Sequence, residues 1–250
     1  MRFTKIPVDT FNTIQLNAGI IVDDFTPSTG AIGNILGATS GGISFKATPT
    51  FTDFADGIDN AAKNMKEFKR LDQWTATMSG TYANVSSDLA KILVAAGDLT
   101  GRTYTQTIDH AIKPGKVYYT RSGESPNYVY TPVANPDVEH LSDYYIKSPS
   151  LEKVTPRNDL KLSDFADVWW VGDYSSYNGS TSGGFVAIHL INSLSTGGFS
   201  TQSGDKAKGQ HAFEFTGHYS NENPDTVPFE IYIKPGTTES TSSTSSTPST

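Results

Sequence analysis

The segment from Glu67 to Tyr82 constrains the fold more than any other part of this sequence, because polar and apolar side chains alternate along it. One set of alternating positions is mostly apolar after its first charged residues: Phe68, Arg70, Asp72, Trp74, Ala76, Met78, Gly80 and Tyr82. The other set is almost wholly polar: Glu67, Lys69, Leu71, Gln73, Thr75, Thr77, Ser79 and Thr81. A period of two predicts a β-strand, about 50 Å long at a rise of about 3.3 Å per residue.

Such a strand is far longer than the typical five or six residues. Its two faces permit two interpretations. In the first, the strand is a wall between an apolar core and a water-filled space. In the second, it belongs to the outer sheet of an ordinary sandwich.

The rest of the chain also favours strands. Gly, Ser, Thr, Asn and Tyr are abundant and helical periodicity is scarce, so we expect a mainly β fold, an antiparallel β-sandwich or partial barrel with one packed α-helix. Candidate strands, besides the long one, are Thr13–Asp23, Gly42–Thr50, Thr103–Ala111, Val168–Tyr174, Phe185–Asn192, His211–Tyr219 and Thr226–Lys234. We expect one domain over 1–236, with 112–165 as a possible loop insertion, and a disordered Ser/Thr-rich tail or linker over 237–250.

Two segments have helical features. The first is 87–96, where Ser86 or Ser87 can cap the start, an apolar stripe follows, and Gly97 can end the helix. The second and weaker candidate is 137–146.

Composition excludes several kinds of site. A net charge of -7 and a pI near 5.2 argue against a protein that grips nucleic acid through basic patches. The chain has no cysteine, so disulfides, thiolate nucleophiles and cysteine-ligated metals are excluded. The N-terminus has no signal-peptide pattern and no segment approaches the roughly 20 apolar residues of a membrane span, so we expect synthesis in a cytoplasm and no membrane partner.

Two clusters of metal-binding residue types need an explanation. His211, Glu214 and His218 would share one face of a helix, as in zinc sites, but the alternation around them predicts a strand with His211 on the opposite side from the other two. The acidic stretch 53–59 lacks the ligand spacing of a calcium loop, and its aspartates are more typical of turns. Nucleophile-elbow, phosphate-loop, dinucleotide and zinc-protease motifs are absent, so we expect no enzyme activity, catalytic residue, cofactor or metal.

Three stretches resemble the major tail protein, or tail-tube protein, of long-tailed non-contractile bacteriophages (siphophages). The first is Leu36–Thr81, where "GATSGG" leads into a strand, an acidic loop and the long polar-faced strand; the helix near 87–96 follows. The close of the domain, "STGGFSTQSGDKAKGQHAFEFTGHYS" and "VPFEIYI", is similar to the last strand pair of that family.

The resemblance implies a structural virion protein that is made in the host cytoplasm and self-assembles into hexameric rings. The rings stack into a tube through which double-stranded DNA passes without specific binding, and the expected partners are the tape measure, distal tail and tail terminator proteins. The residues implied to face the lumen are Glu67, Lys69, Gln73, Thr75, Thr77, Ser79, Glu214 and Thr216. A long inter-strand loop, about 47–65, is implied to reach neighbouring subunits through Thr50, Asp53, Phe54, Asp56 and Asp59.

The main alternative is a carbohydrate-binding β-sandwich module of a phage or cell-surface adhesin. Tyrosine-rich loops and the Ser/Thr tract support it, and Trp169, Trp170, Tyr174 and Tyr177 are candidates for a sugar-stacking platform. A glycosidase is a third hypothesis, without an identifiable carboxylate pair.

Overall fold

The structure is a computed structural model that describes residues 18–125, 128–133, 135–174, 181–182, 184–235 and 237–238. Several predictions fall wholly or partly outside these residues. They are the disordered tail, the first residues of the Thr13–Asp23 strand and the role of Tyr177.

The chain divides into two compact units. The main unit consists of residues 1–96 and 158–250, and the inserted unit consists of Gly97–Arg157. The inserted unit overlaps the predicted insertion over 112–165 but begins earlier and ends earlier. It has its own sheets and its own apolar cluster, so it is more than a surface loop.

Strands dominate both units. In chain order they are β1 (Ile20–Val22), β2 (Phe25–Thr26), β3 (Ala31–Ile32), β4 (Thr39–Asp53), β5 (Lys69–Tyr82), β6 (Gly97–Thr100), β7 (Thr103–Gln106), β8 (Tyr119–Ser122), β9 (Val129–Pro132), β10 (Tyr145–Ser148), β11 (Lys153–Pro156), β12 (Ala166–Tyr174), β13 (Thr181–Ser182), β14 (Gly184–Ser195), β15 (His211–Thr216), β16 (Phe229–Lys234) and β17 (Thr237–Thr238). The α-helix α1 is Ser87–Leu93, and short 3-10 helices cover Lys66–Phe68, Val138–Asp143 and Leu162–Asp164.

The main unit is built on one antiparallel sheet with the strand order β1-β12-β14-β15-β5-β4. Strand β14 belongs to two parts of this sheet, because its first residues pair with β12 and β16 and its last two pair with β15. A single apolar cluster joins the two parts, with Trp170, Ile188 and Leu190 from one and Met78, Phe213 and Phe215 from the other. This arrangement is sandwich-like, and it confirms the predicted mainly β, antiparallel fold.

Helix α1 covers the end of this core as predicted. The Ser86 hydroxyl accepts a hydrogen bond from the Leu89 amide (3.1 Å), which caps the helix start. Leu89 and Leu93 are buried in the main cluster, and the Ser195 hydroxyl donates to the Leu93 carbonyl. Among the described residues this helix of seven residues is the longest α-helix, and none is long and apolar enough to cross a bilayer.

The inserted unit contains a four-stranded antiparallel sheet, β7-β10-β8-β9, and a separate pair, β6 with β11. Tyr118, Leu141 and Tyr144 form its apolar cluster. The predicted helix over 137–146 is wrong: a 3-10 helix, Val138–Asp143, is followed by strand β10. The Asp137 carboxylate accepts from the Glu139 amide and starts this short turn, and pairing of Tyr145 with Gln106 then extends the chain.

Candidate functional site

The outer side of the β4-β5-β15 sheet is covered by short polar side chains. Directly opposed residues lie on the same side of a sheet, so the register defines the rows. Ser44, Ser79 and Glu214 form one row, and Lys46, Thr77 and Thr216 form the next. We call this surface the polar face; it comprises Ser44, Lys46, Thr48, Thr50, Gln73, Thr75, Thr77, Ser79, Thr81, Ala212, Glu214 and Thr216.

The reverse side of the same strands is the core. Ala76, Met78 and Tyr82 of β5 are buried, and Phe213 and Phe215 of β15 pack beside them. Gly80 belongs to this side because a Cβ atom there would lie 2.8 Å from the Phe213 ring. The long strand therefore has one dry side and one wet side, as its alternation predicts.

The polar face is electrically almost neutral. Lys46 and Glu214 are its charged members, and they lie in adjacent rows with opposite signs. Thr196, just beyond β14, extends the surface, because its hydroxyl contacts the hydroxyl of Thr216 (2.8 Å) and Glu214 Oε1 (3.2 Å). The surface offers hydroxyls and amides but no excess of positive charge. An excess of positive charge is the property that would hold phosphates.

The predicted lumen residues divide into two groups. Those on the polar face are Gln73, Thr75, Thr77, Ser79, Glu214 and Thr216. Glu67 instead lies in the 3-10 helix that precedes β5. Lys69 is the first residue of β5 and lies outside the polar face. The alternating pattern of β5 did not reveal the third strand of the face, in which Ser44, Lys46 and Thr48 alternate with Ile43, Phe45 and Ala47.

An irregularity in the β4–β5 pairing explains why the polar face ends at Gln73. Thr50 pairs with Gln73 but the next residue, Phe51, pairs with Leu71, so Asp72 is left without an opposing residue. Its carboxylate accepts hydrogen bonds from the Thr52 hydroxyl and from Arg70 Nε (2.9 Å), and these bonds lower its pKa. Such a bulge changes which side chains share a face, and here it places Phe51 opposite Leu71.

The predicted inter-subunit loop is shorter than expected. Thr50 and Asp53 are strand residues, paired with Gln73 and Lys69, so the prediction that they belong to the loop is wrong. The strands continue because backbone pairing persists beyond the bulge to the end of β4. The loop itself covers 54–65 and contains Phe54, Asp56 and Asp59.

Asp53 closes this loop. Its two carboxylate oxygens accept hydrogen bonds from the backbone amides of Ala55 (3.0 Å) and Asn64 (2.8 Å), which lower its pKa. This is the turn-forming role that the sequence favoured over calcium. In the described part of the chain, no group of three His, Cys, Asp or Glu residues could hold a metal ion.

Several large apolar side chains are exposed at the end of the β4–β5 hairpin. We call them the apolar tip: Phe51, Phe54, Ile58, Phe68 and Leu71, each between 39% and 50% exposed. Lys69 and Arg70 lie over the rings of Phe51 and Phe54, at 5.3 Å and 4.9 Å. Exposed apolar side chains grouped in this way are typical of a protein contact surface.

His211, Glu214 and His218 do not form a site. His211 is buried on the core side of β15 and Glu214 is exposed on the polar face. His218 lies beyond the strand, where Nδ1 contacts the Asn192 carbonyl oxygen (3.1 Å) and the ring packs against Phe165. The predicted strand alternation therefore separates the three side chains.

Trp169 and Trp170 are both buried, on opposite sides of β12. Trp170 belongs to the main cluster, and Trp169 stacks on His189 (3.8 Å between ring centres) in a second cluster with Val22, Phe25 and Ala187. They therefore do not form an exposed sugar-stacking platform.

No protein-family model and no curated protein matches this chain.

Proposed function

We propose that this protein is the tube subunit of a siphophage tail, a structural protein without enzyme activity. It would assemble into hexameric rings that stack into a conduit for genome ejection. The observation that carries this proposal is the polar face. Three adjacent strands present mostly uncharged polar side chains on one side of the sheet, and the other side of the same strands packs into the core.

A surface of this kind suits the wall of a DNA conduit. Phosphates bind where lysines and arginines cluster, because binding there releases counterions. The polar face has one lysine and one glutamate, so a duplex would meet hydroxyl groups and little net charge. Such a wall would let the duplex slide.

One copy cannot enclose a channel, because three strands spaced about 4.8 Å apart form only a narrow strip. Strand β4 is the last strand in the sheet order, so within the described residues its outer edge has no partner. Free strand edges favour pairing with another chain. Side-by-side copies would continue the sheet, and the apolar tip would give each copy a second contact with a neighbour.

The assembled protein would reside in the virion, where the tape measure protein occupies the tube before DNA does. Distal tail and tail terminator proteins would bind the two ends of the tube.

Electron microscopy of the purified chain over a concentration series tests assembly. Hollow tubes or rings are expected as the concentration rises, and light scattering should rise with them. A chain that stays dispersed at every concentration, and whose melting temperature rises with soluble glycan, would favour the adhesin alternative.

Cysteine labelling tests which surface lines the bore. The chain has no cysteine, so Thr75→Cys introduces a single thiol on the polar face. In tubes, a small maleimide should label it, whereas a maleimide on a long polyethylene glycol should label it only before assembly. Ser150→Cys, an exposed position of the inserted unit, is the control for access of the large reagent. Equal labelling of Thr75→Cys by both reagents in tubes would contradict the assignment of the polar face to the lumen.

A further inference from the structure

The inserted unit has an unusual concentration of tyrosine. Seven of the twelve tyrosines of the chain lie within Gly97–Arg157. Two consecutive pairs show how the sheet distributes them. Tyr118 and Tyr144 are buried in the apolar cluster, while their neighbours Tyr119 and Tyr145 oppose each other on the other side of the sheet and stay partly exposed.

That other side carries a group of tyrosines; four of them contact one another, and the fifth, Tyr128, contacts Arg121. We call it the tyrosine face: Tyr104, Tyr119, Tyr128, Tyr130 and Tyr145. Tyr104 and Tyr130 are stacked, with ring centres 4.0 Å apart, and Tyr119 and Tyr145 pack edge-on against them. All five residues retain exposed surface, so they form an aromatic surface that also offers hydroxyl groups.

An arginine lies within this surface. The guanidinium carbon of Arg121 is 4.4 Å from the ring centre of Tyr128 and 4.7 Å from that of Tyr145. The two other arginines of the unit bind carboxylates, Arg102 with Glu152 (3.1 Å) and Arg157 with Asp98 (3.0 Å). Among the described residues no carboxylate contacts Arg121, and its side chain is exposed.

These features define the chemistry of a ligand. Tyrosine rings give a large contact area at low entropic cost, and they suit a molecule that has both apolar C–H faces and hydroxyl groups. A guanidinium in contact with two rings can bind a carboxylate with two parallel hydrogen bonds. A sugar that bears a carboxylate, such as a uronic or sialic acid, combines all three properties.

Single-stranded nucleic acid fits less well. Aromatic platforms that bind it lie in positively charged grooves. The inserted unit has seven acidic and seven basic residues, and Lys113, Lys116 and Lys147 form ion pairs with Asp109 and Glu152. The net charge of the unit is therefore too low to hold a run of phosphates.

We infer that the tyrosine face and Arg121 form a binding site for a carboxylated polysaccharide. This site is independent of tube assembly, because every residue that forms it belongs to the inserted unit. A subunit of this kind would have a second function in addition to its structural one, contact with an acidic glycan.

A glycan array tests the inference with the full-length chain. The array should contain oligosaccharides with uronic or sialic acids beside the same oligosaccharides after reduction of their carboxyl groups, together with oligo-dT. Binding is expected to carboxylated members and to be at least tenfold weaker, roughly, for their reduced counterparts. Arg121→Gln and Tyr128→Ala should each weaken this binding by about tenfold or more.

The matched control is Arg70→Gln, which removes the arginine that lies over the Phe54 ring in the main unit and should leave glycan binding unchanged. Unchanged far-UV circular dichroism would show that each variant is folded. Absence of binding to every carboxylated glycan would overturn the inference, as would equal binding to reduced glycans, preference for oligo-dT, or equal loss in the Arg70→Gln control. None of these results bears on whether tubes form.

Discussion

Tyr82 carries a hydroxyl group into the core of the main unit. The side chain is fully buried against Phe213, and its hydroxyl has no hydrogen-bond partner among the described residues. Burial raises the pKa of this hydroxyl above its usual range, so the group stays neutral. An unpaired buried hydroxyl costs free energy, since it loses its bonds to water and gains none in return.

We therefore expect Tyr82→Phe to raise the free energy of unfolding by about 1 kcal/mol. Urea unfolding measures the change. Tyr118→Phe is the matched control, because Tyr118 is also fully buried but its hydroxyl accepts from the Lys113 amide (3.1 Å) and contacts Asp109 (3.2 Å). That substitution should lower stability by about 1 kcal/mol, and a loss of stability in Tyr82→Phe would contradict our account of its hydroxyl.

Asp109 organises the start of the inserted unit. Its carboxylate binds Lys113 and Lys116, with smaller contributions from Thr107 and Tyr118, and these partners hold its pKa well below its usual range. A lowered pKa means that the folded state favours the ionised form. Its stabilising effect is complete above the unfolded pKa of about 4 and is lost as the pH falls below it.

The difference in stability between the natural protein and Asp109→Asn should therefore be constant from about pH 8 to pH 5 and shrink below about pH 4. Hydrogen exchange of the amides in 107–118 reports it locally. Asp143→Asn, at an exposed aspartate of the same unit, is the control for removal of one carboxylate. An equal difference at pH 3 and pH 7 would mean that the ion pairs do not stabilise this segment.

At the scale of elements, the β4–β5 hairpin combines the two surfaces on which the proposed assembly depends. Its middle presents the polar face and its end presents the apolar tip, and the pairing irregularity at Thr50 separates them. Without the bulge, Phe51 and Leu71 would lie on opposite sides of the sheet. The bulge brings both to one side.

We expect Phe54→Ser with Ile58→Ser to leave a folded subunit that assembles poorly. Both side chains are about half exposed, so an interface would bury the remaining half of each, worth roughly 0.8 to 1.5 kcal/mol per side chain. The concentration needed for tubes should rise at least about tenfold, measured by light scattering. Ala62→Ser with Lys63→Ser, at two exposed positions of the same loop, should assemble normally. Normal tubes from the first variant would exclude the tip from the interface.

At the scale of the whole molecule, the inserted unit begins and ends at neighbouring positions. Strand β6 pairs with β11, and Gly97 lies opposite Pro156. Insertions whose ends are close together can be removed without stretching the chain that carries them. Replacing 97–157 by a short Gly-Ser linker should therefore leave the main unit folded.

That shortened chain should keep the β-type circular dichroism spectrum and still form tubes, and it should lose all binding to carboxylated glycans. Electron microscopy and the glycan array measure the two properties separately. If the shortened chain fails to fold, the main unit depends on the inserted unit for its stability. Retained glycan binding would place the glycan site in the main unit.

Much of the main unit could be predicted from local patterns. Alternation placed Trp74, Ala76 and Met78 on the core side of β5 and Thr75 and Thr77 on the polar face, and the Ser86 cap located α1. These features depend on neighbours in sequence, so the chain reveals them directly. The ends of the hairpin were not predictable in this way, because a bulge depends on which residues of two strands face each other.

The sequence by itself determined the class of fold, the long amphipathic strand and the absence of cysteine chemistry, since each depends on composition or on a period of two. Tertiary structure decided that Ser44, Lys46 and Thr48 join the polar face, that the adjacent Trp169 and Trp170 are both buried, and that Arg121 contacts two tyrosine rings. These outcomes depend on register between strands far apart in the chain. Register is set by packing of the whole sheet, which no single segment encodes.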